Sequence, residues 1–185
     1  SSERNSRGVI LLGVDPQGEI ALGFDPDSVL EGRFLESRDD NGLVVGRKLL
    51  ERLETRSGKR VVIMSQDPEN NVADRGFRIV GVYRAKLSSL EETFVYGGLA
   101  PLQALLGVPG EVSEIAMAGA DYRQVGPLYE KASAVFGMDL EVLPWTELDT
   151  YLGMMLTMMD GFVLVWVVVI FLALSFGLVN TLMMA

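Results

Sequence analysis

The last stretch of the chain, residues 161–185, constrains the rest more than any other feature. From Phe162 onward it contains no charged side chain, only aliphatic and aromatic residues with a few small polar ones. A run of this kind, rising about 1.5 Å per residue as a helix, spans a hydrocarbon core of about 30 Å. Residues 161–185 are therefore predicted to be a transmembrane helix, and the acidic sequence before them a domain held at a membrane surface.

Charge sets the side. Residues 141–160 carry four carboxylates, Glu141, Glu147, Asp149 and Asp160, and no Lys or Arg. Basic residues within about 15–20 positions mark the cytoplasmic end of a span, so this end is expected to be non-cytoplasmic. Residues 1–7 offer neither an initiator Met nor an apolar signal region. A domain translocated without either is expected to be a piece of a longer, multi-pass protein, with an upstream span and a continuation past Ala185. The net charge of −9 lies wholly before the span. That argues against a nucleic-acid partner, since phosphate contacts need clustered Lys and Arg. Cysteine and histidine are both absent, which removes disulfides, thiolate metal sites, zinc-hydrolase sites and His-based triads.

Residues 8–14 (GVILLGV) are predicted as a short buried strand, stopped by a type I turn at Asp15-Pro16-Gln17-Gly18. Residues 19–36 read as loop-rich with at most one helical turn, and Asp39-Asp40-Asn41-Gly42 as a second turn. Residues 47–56 form an amphipathic helix, with Leu49, Leu50 and Leu53 on one face and Gly58 as its stop. Strands at 60–64 and 77–84 are separated by a polar loop at 65–75, and a further strand lies at 93–96. Pro101 opens a helix at 101–106 that Gly107 ends. After Pro109-Gly110 come a strand at 112–118, a helix at 122–136 and a strand at 140–143. Val125, Leu128, Ala132 and Val135 share one face of that helix, and the three elements make a strand–helix–strand unit. A boundary between a strand-rich module and this unit is expected near residues 107–110.

From Thr146, paired with Asp149 as a capping box, apolar side chains keep a spacing of three and four residues straight into the span. Leu148, Tyr151, Leu152, Met155, Met158 and Met159 form one face of the resulting stalk. Nothing in the sequence forces a break at Gly153. A continuous helix over 147–184 would be about 57 Å long, nearly twice what a bilayer needs.

Candidate chemistry is sparse. Asp39 and Asp40 could pair as catalytic carboxylates, but their place in an Asp-Asp-Asn-Gly turn explains them. Asp67, Glu69, Asn70, Asn71 and Asp74 could offer oxygen ligands to calcium, yet the spacing matches no EF-hand loop and Pro68 interrupts it. Met154, Met155, Met158 and Met159 could bind a soft metal; the matching Leu spacing favours an apolar packing face. No Gly-rich phosphate loop with Lys is present. No catalytic, cofactor or metal residue is assigned. Within the span, Ala173, Gly177 and Thr181 recur every fourth residue, with Asn180 beside them. Small residues at that spacing admit a neighbouring helix, and Asn or Thr can hydrogen-bond across the contact.

The ending FGLVNTLMMA resembles the second transmembrane helix of FtsX-like ABC-transporter permeases. Upstream, GVDP (13–16), VVGRKLLERL (44–53), SGKRVVI (57–63), FRIVGVYR (77–84), GGLAPLQALLG (97–107) and VSEIAM (112–117) follow in order the pattern of the MacB-like periplasmic core. Lys59 and Glu92 stand where that pattern often has Asp. The resemblance, to the superfamily that includes MacB and LolC–LolE, implies an α+β fold. A porter-type α/β subdomain would be interrupted by a strand-rich, sabre-type insertion and followed by a long stalk helix running into one transmembrane helix. Residues 8–18 would end the first porter half, 19–107 form the sabre-like module, 108–144 the second porter module, 145–160 the stalk and 161–185 the span.

The resemblance further implies a non-enzymatic permease subunit in the bacterial inner membrane with its domain in the periplasm. Its partners would be an ABC ATPase subunit or domain, a second permease copy or paralogue, and a lipoprotein or exported substrate, with or without a periplasmic adaptor. The stalk would transmit ATP-driven motion across the membrane. A single-span, membrane-anchored periplasmic receptor or scaffold is the alternative.

Overall fold

Alternating apolar positions build a mixed sheet in the first part of the chain. Its strands are β1 (Ile10–Val14), β2 (Val29–Gly32), β3 (Gly42–Gly46), β4 (Arg60–Gln66), β5 (Val72–Tyr83) and β6 (Phe94–Gly98). The structure is a computed structural model and describes residues 6–119, 121, 125–136, 140–148 and 150–184. Its contacts divide the chain into two units, Ser1–Met117 and Ala118–Ala185.

In the first unit the strand order is β1-β6-β3-β5-β2, with β4 paired to β5. β1 runs parallel to β6 and β3 parallel to β5, whereas β3–β6, β2–β5 and β4–β5 are antiparallel. β5 is long enough to serve two partners on one edge: β4 along residues 72–78 and β2 along 81–83. β3 is central and buried along its whole length. Its alternation sends Leu43 and Val45 into one core with Leu49, Phe77, Ile79, Val95, Leu102 and Leu105, and Val44 into another with Leu35 and Tyr83. Burial on both faces explains why Leu43-Val44-Val45 reads as a continuous apolar run.

Short helices join the strands: α1 (Pro16–Ala21), α2 (Arg47–Arg52), α3 (Ser88–Thr93) and α4 (Leu99–Leu106). α2 buries Leu49, with Leu50 and Leu53 packed against the same core. α4 ends at Gly107, which takes the left-handed conformation expected of a helix stop.

Several expectations change. Asp15-Pro16-Gln17-Gly18 opens helix α1 instead of a free turn, because the Asp15 carboxylate accepts from Gln17 N–H and Pro16 supplies the first helical residue. The stretch 19–36, expected to be mostly loop, contains a 3-10 turn at Pro26–Ser28 and the strand β2. α2 stops at Arg52, six residues before Gly58, since Glu54 already takes a positive φ of 50°. The polar loop 65–75 shrinks to a tight hairpin turn. Asp67 accepts from both the backbone and the side-chain amide of Asn71, and Asn70 takes the left-handed conformation, so polar residues on either side continue β4 and β5. β1 is hydrogen-bonded into the same sheet as β6.

The second unit contains α5 (Val125–Phe136), α6 (Trp145–Leu148) and α7 (Thr150–Met184). Neither strand of the predicted strand–helix–strand unit forms: residues 112–118 and 140–143 carry no ladder. Val112, Ile115, Leu140 and Leu143 stay exposed. The helix between them is present. Its predicted face turns Ala132 inward and half-buries Val125 and Leu128, while Val135 is 71% exposed. Residues 122–124, at the predicted start of that helix, lie outside the described residues.

Candidate membrane-spanning helix

α7 has 35 residues, which at about 1.5 Å each gives a rod of about 52 Å. Its segment Gly161–Met184 has a mean hydropathy of 2.9 and is long and apolar enough to cross a membrane. None of that segment is buried. Leu164, Val165, Trp166 and Val167, which at about 100° per residue point to all sides of the helix, are each 57–65% exposed. A helix of a water-soluble core would hide at least one such face.

The backbone of a helix satisfies its own polar groups, which is what makes it tolerable in hydrocarbon. The hydroxyls here follow the same rule. Ser175 donates to the Phe171 carbonyl oxygen at 2.8 Å, and Thr181 to that of Gly177 at 2.9 Å. Thr181 therefore uses its proton within its own helix. Asn180 has no side-chain partner among the described residues. Ala173, Gly177 and Thr181 lie at fourfold spacing on one side of α7, all exposed.

The stalk differs from the expected continuous rod. α6 and α7 are separate helices, and a Cβ added at Gly153 would come within 2.5 Å of the Thr146 carbonyl oxygen. In one straight helix, residues seven apart are separated by about 10 Å. The chain therefore doubles back, and α6 lies against the first turns of α7 where only a glycine leaves room. Pro144 starts this elbow: its carbonyl oxygen accepts from Glu147 and Leu148 N–H. Asp149, the expected partner of a capping box, lies outside the described residues. The stalk face of Leu148, Tyr151, Leu152, Met155, Met158 and Met159 is 44–76% exposed. Met154, the remaining member of the methionine group, is exposed as well.

In the sheet unit the turn carboxylates have structural work. Asp40 accepts from the Arg33 guanidinium, from Glu36 N–H and from Gly42 N–H. Burial by itself pushes this carboxyl upward, but those hydrogen bonds, led by Arg33, hold it below the usual carboxylate range. Asp39 stays exposed, so the two do not form a catalytic pair. Asp67 is spent on Asn71, whose side-chain hydrogen bond is the main cause lowering its pKa.

Two features escaped sequence reading. Glu91 is 3% exposed, and its carboxylate accepts from Lys48 N–H at 3.2 Å and Ala85 N–H at 3.0 Å. It thereby supplies the cap that Gly46 cannot give α2, and Gly46 must be glycine because an added Cβ would collide with the Glu91 backbone. The second is a cleft of about 510 Å³ lined by Glu19, Phe24, Tyr83, Arg84, Lys86 and Tyr96. No single motif encodes it, since its residues come from four separate segments.

No protein-family model matches the chain, and no curated protein matches it.

Proposed function

We propose that this chain is a membrane-anchored extracytoplasmic segment of an FtsX-like permease, in which α7 forms the second transmembrane helix. The observation that carries the reading is the joining of an uncharged, strongly apolar 24-residue segment, none of it buried, to an acidic sheet domain, with no Lys or Arg after Lys131. The ordered motifs from GVDP to FGLVNTLMMA support the same assignment. On this reading the sheet domain stands in the periplasm of a bacterial inner-membrane protein. It works with an ABC ATPase and a second permease copy or paralogue, on a lipoprotein or an exported substrate. Its own role is mechanical: α7 carries motion that begins with ATP binding on the cytoplasmic side.

The elbow at Gly153 favours a second reading. A joint between domain and span transmits force poorly, which suits a single-span receptor or scaffold whose domain swivels above its anchor.

Topology and gene context separate these. The chain has no cysteine, so Ser113→Cys introduces a unique thiol. In intact cells a membrane-impermeant maleimide should label it; labelling only after lysis would sink both readings. Downstream of Ala185, two further apolar spans preceded by a basic cytoplasmic segment support the permease. A short basic tail and a stop codon overturn it in favour of the anchor.

A further inference from the structure

The cleft in the sheet unit brings a half-buried carboxylate, Glu19, together with two exposed cations, Arg84 and Lys86. Ion pairs in the unit join Arg33 to Asp40 and Glu36, Arg52 to Glu92, and Arg47 and Lys48 to Glu51. Among the described residues Glu19, Arg84 and Lys86 make no ion pair and no side-chain hydrogen bond, although the Glu19 charge is felt by the Tyr96 hydroxyl. Glu19 is half-buried, and that burial raises its pKa. A half-buried carboxylate with no cation beside it is an unmet demand. Tyr96 adds a hydroxyl that also lacks a hydrogen-bond partner among the described residues. The Tyr83 hydroxyl, by contrast, is spent on the carbonyl oxygens of Leu90 and Phe94, both at 3.0 Å.

Aromatic rings complete the walls. Phe24 meets Tyr96 edge-on at 5.2 Å between centroids and Tyr83 at 6.4 Å, and Tyr83 meets Tyr96 at 5.4 Å. Tyr83 is buried, so the half-buried rings of Phe24 and Tyr96 are the ones beside the carboxylate that can meet an ammonium ion. A simple cation would nevertheless meet Arg84 and Lys86, and a simple anion would meet Glu19. A ligand carrying both charges satisfies both ends. The cleft volume of about 510 Å³ suits a small molecule.

We propose that this cleft binds a small zwitterion, its ammonium head against Phe24, Tyr96 and the Glu19 carboxylate, its anionic end toward Arg84 and Lys86. The proposal is independent of the permease reading, since every residue in it belongs to the sheet unit.

The test uses the full chain in maltoside micelles, with phosphocholine as the zwitterion and tetramethylammonium and inorganic phosphate as its halves, followed by titration calorimetry. Phosphocholine should bind saturably and about tenfold more tightly than either half. Glu19→Gln and Lys86→Ala should each weaken it several-fold while leaving amide-exchange protection of β3 unchanged. Tyr96→Phe keeps the ring and should cost less than either. Phosphatidylcholine nanodiscs that compete with phosphocholine, where phosphatidylglycerol nanodiscs do not, would assign a lipid headgroup as the source. Equal binding in both would assign a soluble solute. Absence of saturable binding at millimolar phosphocholine overturns the proposal, as does unchanged affinity in both Glu19→Gln and Lys86→Ala.

Discussion

Leu43 and Leu174 are the same side chain in opposite circumstances. Leu43, in the central strand, is 0% exposed; Leu174, in the terminal helix, is 63% exposed. Burying one such side chain is worth about 1.5–3 kcal/mol in water. The sheet unit collects that gain by itself, on two faces, with helices over one of its two cores. α7 collects none of it within the described structure, so its apolar surface requires a non-aqueous surrounding or another helix. The comparison separates a region whose stability is internal from one whose stability must be supplied from outside.

The largest test applies one truncation to both. Leu43→Ala should destabilise the sheet unit by about 3–4 kcal/mol, read as lost amide-exchange protection of β3 in the detergent-solubilised chain. Leu174→Ala should leave that protection unchanged. Equal effects would abolish the distinction. The reverse probe is Val168→Arg. A charge at the middle of a span costs about 2.5–3.5 kcal/mol, so this variant should shift the chain from the membrane fraction to the soluble or degraded one. The fold of the sheet unit should persist, as exchange protection of β3 would show.

Smaller effects sharpen the contrast. The folded pKa of Asp40 lies below its unfolded value. Its contribution is therefore full above the unfolded carboxylate pKa of about 3.9 and is lost as pH falls through the folded value. Asp40→Asn should cost about 2 kcal/mol at neutral pH, and the difference from the parent should shrink as denaturation is repeated below about pH 4. A difference that grows towards acid would contradict the sign.

In the second unit, Gly153→Leu should force the elbow open. Spin labels at Glu147 and Met154 should then move toward the separation of about 10 Å along a straight helix, at a cost of about 1–3 kcal/mol. An unchanged distance would show that the close contact with Thr146 does not hold the bend. The smallest effect belongs to Thr181→Val. The hydroxyl already bonds to Gly177 of its own helix, so its loss should change helix association in detergent by less than about 0.5 kcal/mol. Gly177→Leu should disturb association more, if that face meets a neighbour.

Much was legible because it is written in adjacent residues. The apolar run of α7, the β-branched stretches of β4 to β6, and the glycine that ends α4 each depend on neighbours a few positions away. The site is less legible. Glu91 looks like any surface glutamate in SSLEET, and becomes a buried cap only because Gly46 admits its backbone. The cleft joins α1, the loop at Phe24, the end of β5 and the middle of β6. Such a gathering depends on strand order, which alternation cannot encode.

Sequence by itself determined the apolar helix, its lack of preceding positive charge, and the residues that could form strands. Periodicity is a local property, and each of these is a statement about one segment. Tertiary structure decided which candidate strands became strands. Residues 29–32 pair because the edge of β5 is available to them, while 112–118 and 140–143 have the right alternation and no ladder. It also decided that the stalk bends. The unbroken apolar spacing from Leu148 into Gly161 is compatible with one rod. Pro144 and the bare backbone of Gly153 instead let α6 lie against α7, a contact between residues seven apart that no helical period reveals.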